Sequence, residues 1–381
     1  MKIGTKLYAY VGGVVVLVFI IFGIYIYSIL KTNIDKSYQE AVGEYLDNYS
    51  KMIDLEIESR KKAEVFAIKI ASNYLKSLGN ITETTEQVNI GNYIVNKWLI
   101  NGKQIQEDNE IVDNIKSMGL TASTIFQKTP QGYLRISTNV KTDEGKRAIG
   151  TIIGYDSPVA QSLEKGETYI GRAWVVNAWF IAAYEPIRIN GEIKGAIFTG
   201  QPEINYSELT NYFKDKKYFG SGYPYIVDNT GILTAHPNSV GTSVANEDFF
   251  KEIKEKKDGK VVYNWEGREK TQLFRYIKSI DSYISVGWYN DDYNSILNNI
   301  RNIIVIAVII ALVVVILTLL FIVRGILKSL KKGVNAAESI ANGNMEVDLE
   351  TNSKDETGLL LSSMKRMADS IKSLVREMNS V

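Results

Sequence analysis

The stretch "YIGRAWVVNAWFIAAYEPIRINGEIKGAIFTG", residues 169–200, decides the fold. Apolar strand-like runs flank Asn190-Gly191, a dipeptide suited to the two left-handed positions of a tight hairpin turn. Asn101-Gly102, between "KWLI" and "KQI", repeats the signal. Further out, "TIFQKTPQGYLRISTNV" at 124–140 adds strands, and residues 219–222, "FGSG", open a second, smaller unit of the same kind. That unit contains "YPYIVDNTGILTAHP", "GKVVYNWEGREKTQLFRYI" and "YISVGWYNDDY". Its turns fall at Asp228 to Gly231 and at Glu266-Gly267. Antiparallel sheets follow from both segments.

Before the strands, residues 31–78 lack proline and place apolar residues at 34, 38, 41, 45, 49 and 52. This is the spacing of a helix with a coiled-coil seam. It predicts a long stalk, ended by the glycine of "SLGN" at 77–80. Residues 7–30 carry no charge, and neither do residues 302–323. Each run is long enough to cross a bilayer as a helix, which takes about 20 residues. The apolar part of the first run also exceeds the h-region of a signal peptide.

Lys2 and Lys6 precede the first span, and Arg324, Lys328, Lys331 and Lys332 follow the second. The excess of basic residues predicts that both termini are cytoplasmic and that residues 31–301 lie outside. The 381-residue chain has Lys+Arg 44 against Asp+Glu 43, a formal net charge of +1, which does not recommend nucleic acid as a partner. Cysteine is absent, so disulfides, thiolate nucleophiles and cysteine-ligated zinc are excluded. With His236 as the one histidine, paired-histidine metal sites within a chain are excluded too. Neither a cofactor nor a metal is expected.

After the second span come two amphipathic segments. Apolar or small residues recur at 326, 330, 333, 337 and 340, and again at 360, 364, 367, 371, 374 and 378. Both are heptad-like. Gly343 opens the connector between them, and Met345 and Leu349 are placed to pack across a bundle.

Several of these motifs carry a family resemblance. "TIFQK", "YLRISTNVKTDEGKRAIGT", "GETYIGRAW" and "YEPIRINGEIKGAIFTG" resemble the distal part of the fused Cache 3/Cache 2 sensor domains of bacterial chemoreceptors, and "YIVDNTGILTAHPNSVG" with "FRYIKSIDSYISVGWYNDDY" resembles the membrane-proximal module. The resemblance covers about residues 31–295 and implies two PAS-like modules carried on one long helix. The C-terminal segment is similar to a HAMP domain, with Asp355-Glu356 matching its acidic pair and Ser329 standing where the family usually has proline. The expected architecture is α+β. It comprises a cytoplasmic N-terminus (1–6), a transmembrane helix (7–30), a stalk (31–80), a distal module (81–204), a proximal module (205–300), a second transmembrane helix (301–323) and a HAMP coiled coil (324–378).

Arg172, Trp174, Trp179 and Tyr184 gather a cation and three aromatics on one hairpin. An arginine fork suits a carboxylate, and aromatic walls exclude water around it. Core packing is the alternative for the tryptophans. Strand alternation puts Tyr133, Arg135 and Ser137 on one face and Leu134, Ile136 and Thr138 on the other, so that Arg135 either snorkels over the sheet or meets an anion. The resemblance places Arg135, Arg172, Trp174, Trp179 and Tyr184 near the ligand pocket without fixing their roles; the aromatic walls around Arg172 make it the residue expected to hold a carboxylate, with Arg135 assisting or only shaping the field. His236 in "HP" reads as a structural turn, and Asp291 and Asp292 as a polar turn rather than a calcium loop.

The chain therefore reads as a homodimeric membrane receptor for a small molecule, with a carboxylate as the candidate class, and not as an enzyme. Residue 381 follows directly on the second HAMP helix, so the output segment and its cytoplasmic signalling partners are expected elsewhere. The parent class is a methyl-accepting chemotaxis receptor. The alternatives are the sensory half of a histidine kinase or nucleotide cyclase, or a short regulator.

Overall fold

A computed structural model describes residues 3–119, 122–350 and 355–378. Lys2 of the basic flank and residues 351–354 of the connector lie outside these. The chain forms two compact units, one of residues 39–293 and one of residues 1–38 with 294–381.

The first helix, α1 (Ile3–Ser77), stops where Gly79 adopts φ 120°, its N–H reaching the carbonyl of Lys76 at 3.2 Å. Then follow β1 (Ile81–Ile90), β2 (Tyr93–Ile100), β3 (Lys103–Gln104), α2 (Glu110–Ser117), β4 (Ala122–Thr129), β5 (Gly132–Thr138) and β6 (Ile152–Ile153). Next come α3 (Pro158–Glu164), β7 (Tyr169–Val175), β8 (Ala178–Ile189), β9 (Glu192–Pro202) and α4 (Tyr206–Lys214). The remainder is β10 (Tyr223–Asp228), β11 (Leu233–Ala235), α5 (Asp248–Lys256), β12 (Asp258–Trp265), β13 (Arg268–Ile277), β14 (Ser282–Tyr289), α6 (Asn290–Ala341) and α7 (Glu356–Met378).

In the 39–293 unit, the distal strands form a six-stranded sheet of order β6-β5-β4-β9-β8-β7 and a separate three-stranded sheet β1-β2-β3, while the proximal strands form β11-β10-β14-β13-β12. Every pairing within these sheets is antiparallel. The β8–β9 turn has Asn190 at φ 53° and Gly191 at φ 87°, and the β2–β3 turn has Asn101 at 47° and Gly102 at 77°. These are the left-handed pairs that the dipeptides predict.

One face of the six-stranded sheet buries Ile125, Leu134, Ile136, Ala183 and Ile197 against Ile68, Ala71 and Leu75 of α1. The opposite face buries Phe126, Tyr133, Tyr184 and Phe198 against Val159, Ala160 and Leu163 of α3. Thus α1 supplies one wall of the distal module, and α3 closes the other.

The buried stripe of the stalk lies one residue beyond the seam read from sequence: Val42, Leu46, Ile53 and Ile57 are buried, whereas of the seam positions Tyr38, Ala41 and Met52 are exposed, Tyr45 packs edge-on to Tyr218 at 5.4 Å and Tyr49 lies 5.7 Å from Tyr212. Met52, Leu55, Phe66 and Ile70 remain exposed.

In the other unit, α1 and α6 are long and apolar enough to cross a membrane, with their apolar windows uncovered by protein. Val308 lies close to Gly23, where a Cβ would meet it at 3.2 Å. Past the apolar run, Ala336 packs with Leu349 and Leu361, and Val347 and Met364 border them. The expected Leu349 contact is present. Of the heptad positions read from sequence, Gly333 and Ile340 are buried, but residues 326, 330, 337, 360, 367, 374 and 378 are exposed. Asp355 caps α7 by accepting from the N–H groups of Thr357 at 3.0 Å and Gly358 at 3.1 Å.

Candidate ligand site

The strands place Arg135 through an irregularity in pairing. Between β4 and β5, Ile125 opposes Ser137, but Phe126 opposes Arg135, so Ile136 is an extra, bulged residue. A one-residue slip exchanges faces. Ser137 therefore turns away from Arg135, its hydroxyl donating to the Asp108 carbonyl at 2.7 Å. Thr138 instead joins Arg135's side, its hydroxyl 2.6 Å from that of Thr124, which shares a face with Phe126. This corrects the simple alternation, in which Ser137 accompanied Arg135.

Arg135 is not snorkelling; 4% of it is exposed. Its guanidinium lies 5.1 Å from the Phe126 ring centroid, and Nη1 donates to the hydroxyl of Thr151. Nε is buried with no hydrogen-bond partner. Among the described residues, no ion pair includes Arg135. Burial pulls its pKa down to about 10, partly offset by Tyr184. Tyr184 is itself buried on this face, 6.0 Å from Phe126 and 4.9 Å from Phe198, and burial raises its phenol pKa.

The other three candidates lie across the sheet. In the β7–β8 ladder, Arg172 opposes Ile181 and Trp174 opposes Trp179, whereas Tyr184 opposes Tyr169 on the alternate parity. Arg172 forks onto Glu203 just beyond β9, with Nε to Oε2 at 2.5 Å and Nη2 to Oε1 at 3.1 Å. Tyr206 donates to the same carboxylate at 3.0 Å, and Glu203 is 1% exposed. The guanidinium stacks 3.8 Å from the Trp179 ring centroid, and Trp174 meets Trp179 edge-on at 5.3 Å. So the sheet brings Arg135 and Tyr184 together on one face, and Arg172, Trp174 and Trp179 on the other.

A groove of about 450 Å³ lies on the α1 side, lined by Ser72, Lys76, Glu185 and Arg188. Its acid is already partnered, with Ser72 2.6 Å and Lys76 3.3 Å from Glu185. Among the described residues of the distal module, a buried, incompletely bonded cation stands at Arg135. Sequence reading missed Phe126, Thr151 and Glu203, which lie far along the chain from the arginines they meet.

Residues 27–303 match the Cache 3/Cache 2 fusion domain, and residues 321–373 match the HAMP domain. The chain belongs to the Cache 3/Cache 2 fusion family. Among curated proteins nothing matches. Solved structures similar to this Cache protein include the ligand-binding domain of Mlp24 with asparagine, at 14% identity and TM-score 0.43, covering 70% of this chain and 98% of that one. Another is the extracellular domain of the putative histidine kinase mmHK1S-Z2, at 15% identity and TM-score 0.41, covering 67% and 98%. A third is the ligand-binding domain of the Campylobacter jejuni chemoreceptor Tlp3 with L-valine, at 12% and 0.36, covering 68% and 97%.

Elsewhere in this Cache protein, His236 holds the turn expected of it, with Nδ1 accepting from the N–H groups of Asn238 at 3.1 Å and Ser239 at 2.9 Å. Asp291 and Asp292 are held by Arg268 at 2.6 and 3.1 Å, at the start of α6. Among the described residues there is no cluster of three or more potential metal ligands.

Proposed function

We propose that this protein is the sensory part of a transmembrane chemotaxis receptor, and that its distal Cache module binds a small carboxylate-bearing molecule against Arg135. The observation that carries this reading is the buried guanidinium, whose Nε has no partner. Leaving a buried donor unsatisfied costs about 1–3 kcal/mol, and more for a charged group. A carboxylate entering from the α3 side offsets that cost with a charge-assisted hydrogen bond. Tyr184 and Phe126 then form its wall, and Thr151 fixes the guanidinium plane. Arg172, with Trp174 and Trp179, is a positioning group: it ties β7 to Glu203 and so sets the edge of the sheet. Ligand binding shifts the balance between two packings of the sensor, and α6 with the HAMP helices carries the shift inward.

The test is thermal unfolding of the full chain in detergent, with amino acids and dicarboxylic acids as the panel. A ligand at 100 times its dissociation constant adds about 2.7 kcal/mol of stability. Arg135→Ala is expected to abolish the shift. Arg172→Ala should lower basal stability through the stranded Glu203 while retaining a shift. An unchanged shift in Arg135→Ala would place the ligand elsewhere.

A further inference from the structure

The proximal module also buries a cation without an acid. Lys270 on β13 is 2% exposed, and its Nζ donates to the Tyr223 hydroxyl at 2.9 Å. An ammonium has three protons to place. Among the described residues, no ion pair accounts for the other two. Around Nζ stand the rings of Tyr223 at 4.3 Å, Tyr289 at 5.2 Å and Tyr225 at 5.9 Å. Burial pulls the lysine pKa down to about 8, while the more distant Glu266 opposes the fall.

The groups beside this cage are fixed in place. Tyr225 and Tyr263 both donate to Gln272 Oε1, at 2.5 and 2.9 Å, and Gln272 Nε2 donates to Ser285 at 2.9 Å. His236 lies 5.0 Å from Tyr223 and 5.6 Å from Tyr225, measured between ring centroids. Its Nδ1 accepts two backbone N–H groups, so the ring proton sits on Nε2 and makes the imidazole a donor. A buried ammonium with a single hydrogen-bond acceptor, walled by oriented phenols, has the chemistry of an anion site.

We propose that the proximal module holds a second ligand site, in which Lys270, framed by Tyr223, Tyr225 and Tyr289, takes a small monocarboxylate. One buried positive charge matches one negative charge, and a doubly charged phosphate would leave a net charge uncompensated inside the cage. The enclosing phenols favour a short acid such as acetate or propionate. The site adjoins the root of the second spanning helix. Tyr289 ends β14, and α6 begins at Asn290. Arg268, two residues before Lys270, stacks 4.0 Å from the Tyr289 ring centroid and grips Asp291 with two hydrogen bonds, at 2.9 and 2.6 Å. Occupancy at Lys270 therefore bears on the residues that anchor α6, without passing through the distal module.

The experiment uses the full chain carrying Arg135→Ala, which removes the distal cation, in detergent, with acetate, propionate and inorganic phosphate titrated separately. A saturable rise in unfolding temperature with acetate or propionate is expected, and none with phosphate. Adding Lys270→Met should raise the half-saturating concentration about tenfold or more, the scale of one charge-assisted hydrogen bond. Gly287→Ala is the second variant. Its Cβ would fall 2.7 Å from Lys270 Cε, so it displaces the end of the lysine and keeps its charge. It too should weaken binding. No saturable response to either acid, a response equal in the Lys270→Met protein, or a response to phosphate alone would each overturn the proposal.

Discussion

Arg135 and Lys270 pose the same physical problem, a buried cation without a carboxylate, in two different modules. Lys270 makes the problem measurable. Its pKa is about 10.5 in the unfolded chain and is pulled down to about 8 in the fold by burial. Between those values the unfolded chain holds more protons, so this group makes stability rise as pH rises from about 8 to about 10.5. Urea midpoints across that window should climb in the wild type and lose this component in Lys270→Met. At neutral pH without ligand, Lys270→Met should be more stable by about 1–4 kcal/mol, as when buried ions give way to apolar groups of similar volume. Equal slopes in the two proteins would mean that the ammonium is better solvated than its burial implies. Arg172 is the opposite case. Glu203→Gln should destabilise the fold, because the fork loses its charged partner while Tyr206 keeps an acceptor.

At the scale of elements, the β7–β8 turn holds a strained residue. Val176 has φ 59°, a left-handed conformation that a β-branched side chain rarely adopts. The neighbouring Asn177 is tied by its side chain to Asp143, which anchors the turn to the loop over the sheet. The left-handed region costs an L-residue about 1–2 kcal/mol, and asparagine tolerates it best after glycine. Val176→Asn should therefore raise stability by about 1 kcal/mol in a denaturant titration, provided that the half-buried valine contributes less in packing than its backbone costs. A fall in stability would show that its packing beside the distal core outweighs the strain. The bulge at Ile136 is the other decisive local feature, because it sends Ser137 to the α2 side and brings Thr138 round to the side of Arg135.

For the whole molecule, the exposed apolar residues are the place to test for a second copy. Along α1, Met52, Leu55, Phe66 and Ile70 face outward, and past the second span Leu330, Leu360, Met367 and Leu374 do the same. Stripes of this kind on helices are the seams of coiled coils, and soluble oligomers are mostly symmetric dimers. The absence of native cysteine makes the test clean. Cysteine at Leu55, Phe66 or Met367 should cross-link two copies in membranes under oxidation, while cysteine at buried Ile57 should not. Absence of dimer at all three exposed positions would count against a symmetric receptor. Topology is tested separately. Protease added to intact cells should cut within residues 31–301 and spare the segment after Arg324, and the reverse pattern would invert the assignment of sides.

The sequence alone determined the features that are local or periodic. Asn-Gly turns, the two long apolar runs, the glycine after the stalk and the acidic pair at the start of α7 each follow from residues within a few positions of one another. It also singled out Arg135, Arg172, Trp174, Trp179 and Tyr184 as candidates, but left their arrangement open. Which face each occupies depends on strand register, and a single bulged residue exchanges the faces beyond it. Which arginine is already paired depends on Glu203, 31 residues from Arg172 along the chain, and nothing in the spacing signals that contact. The stalk seam was legible as a period, yet the partner of each position was not, because Tyr45 and Tyr49 meet Tyr218 and Tyr212 only after the proximal module folds back onto the helix. Periodicity fixes which residues share a face. Only tertiary packing decides what that face meets, and therefore which charge is left without a partner.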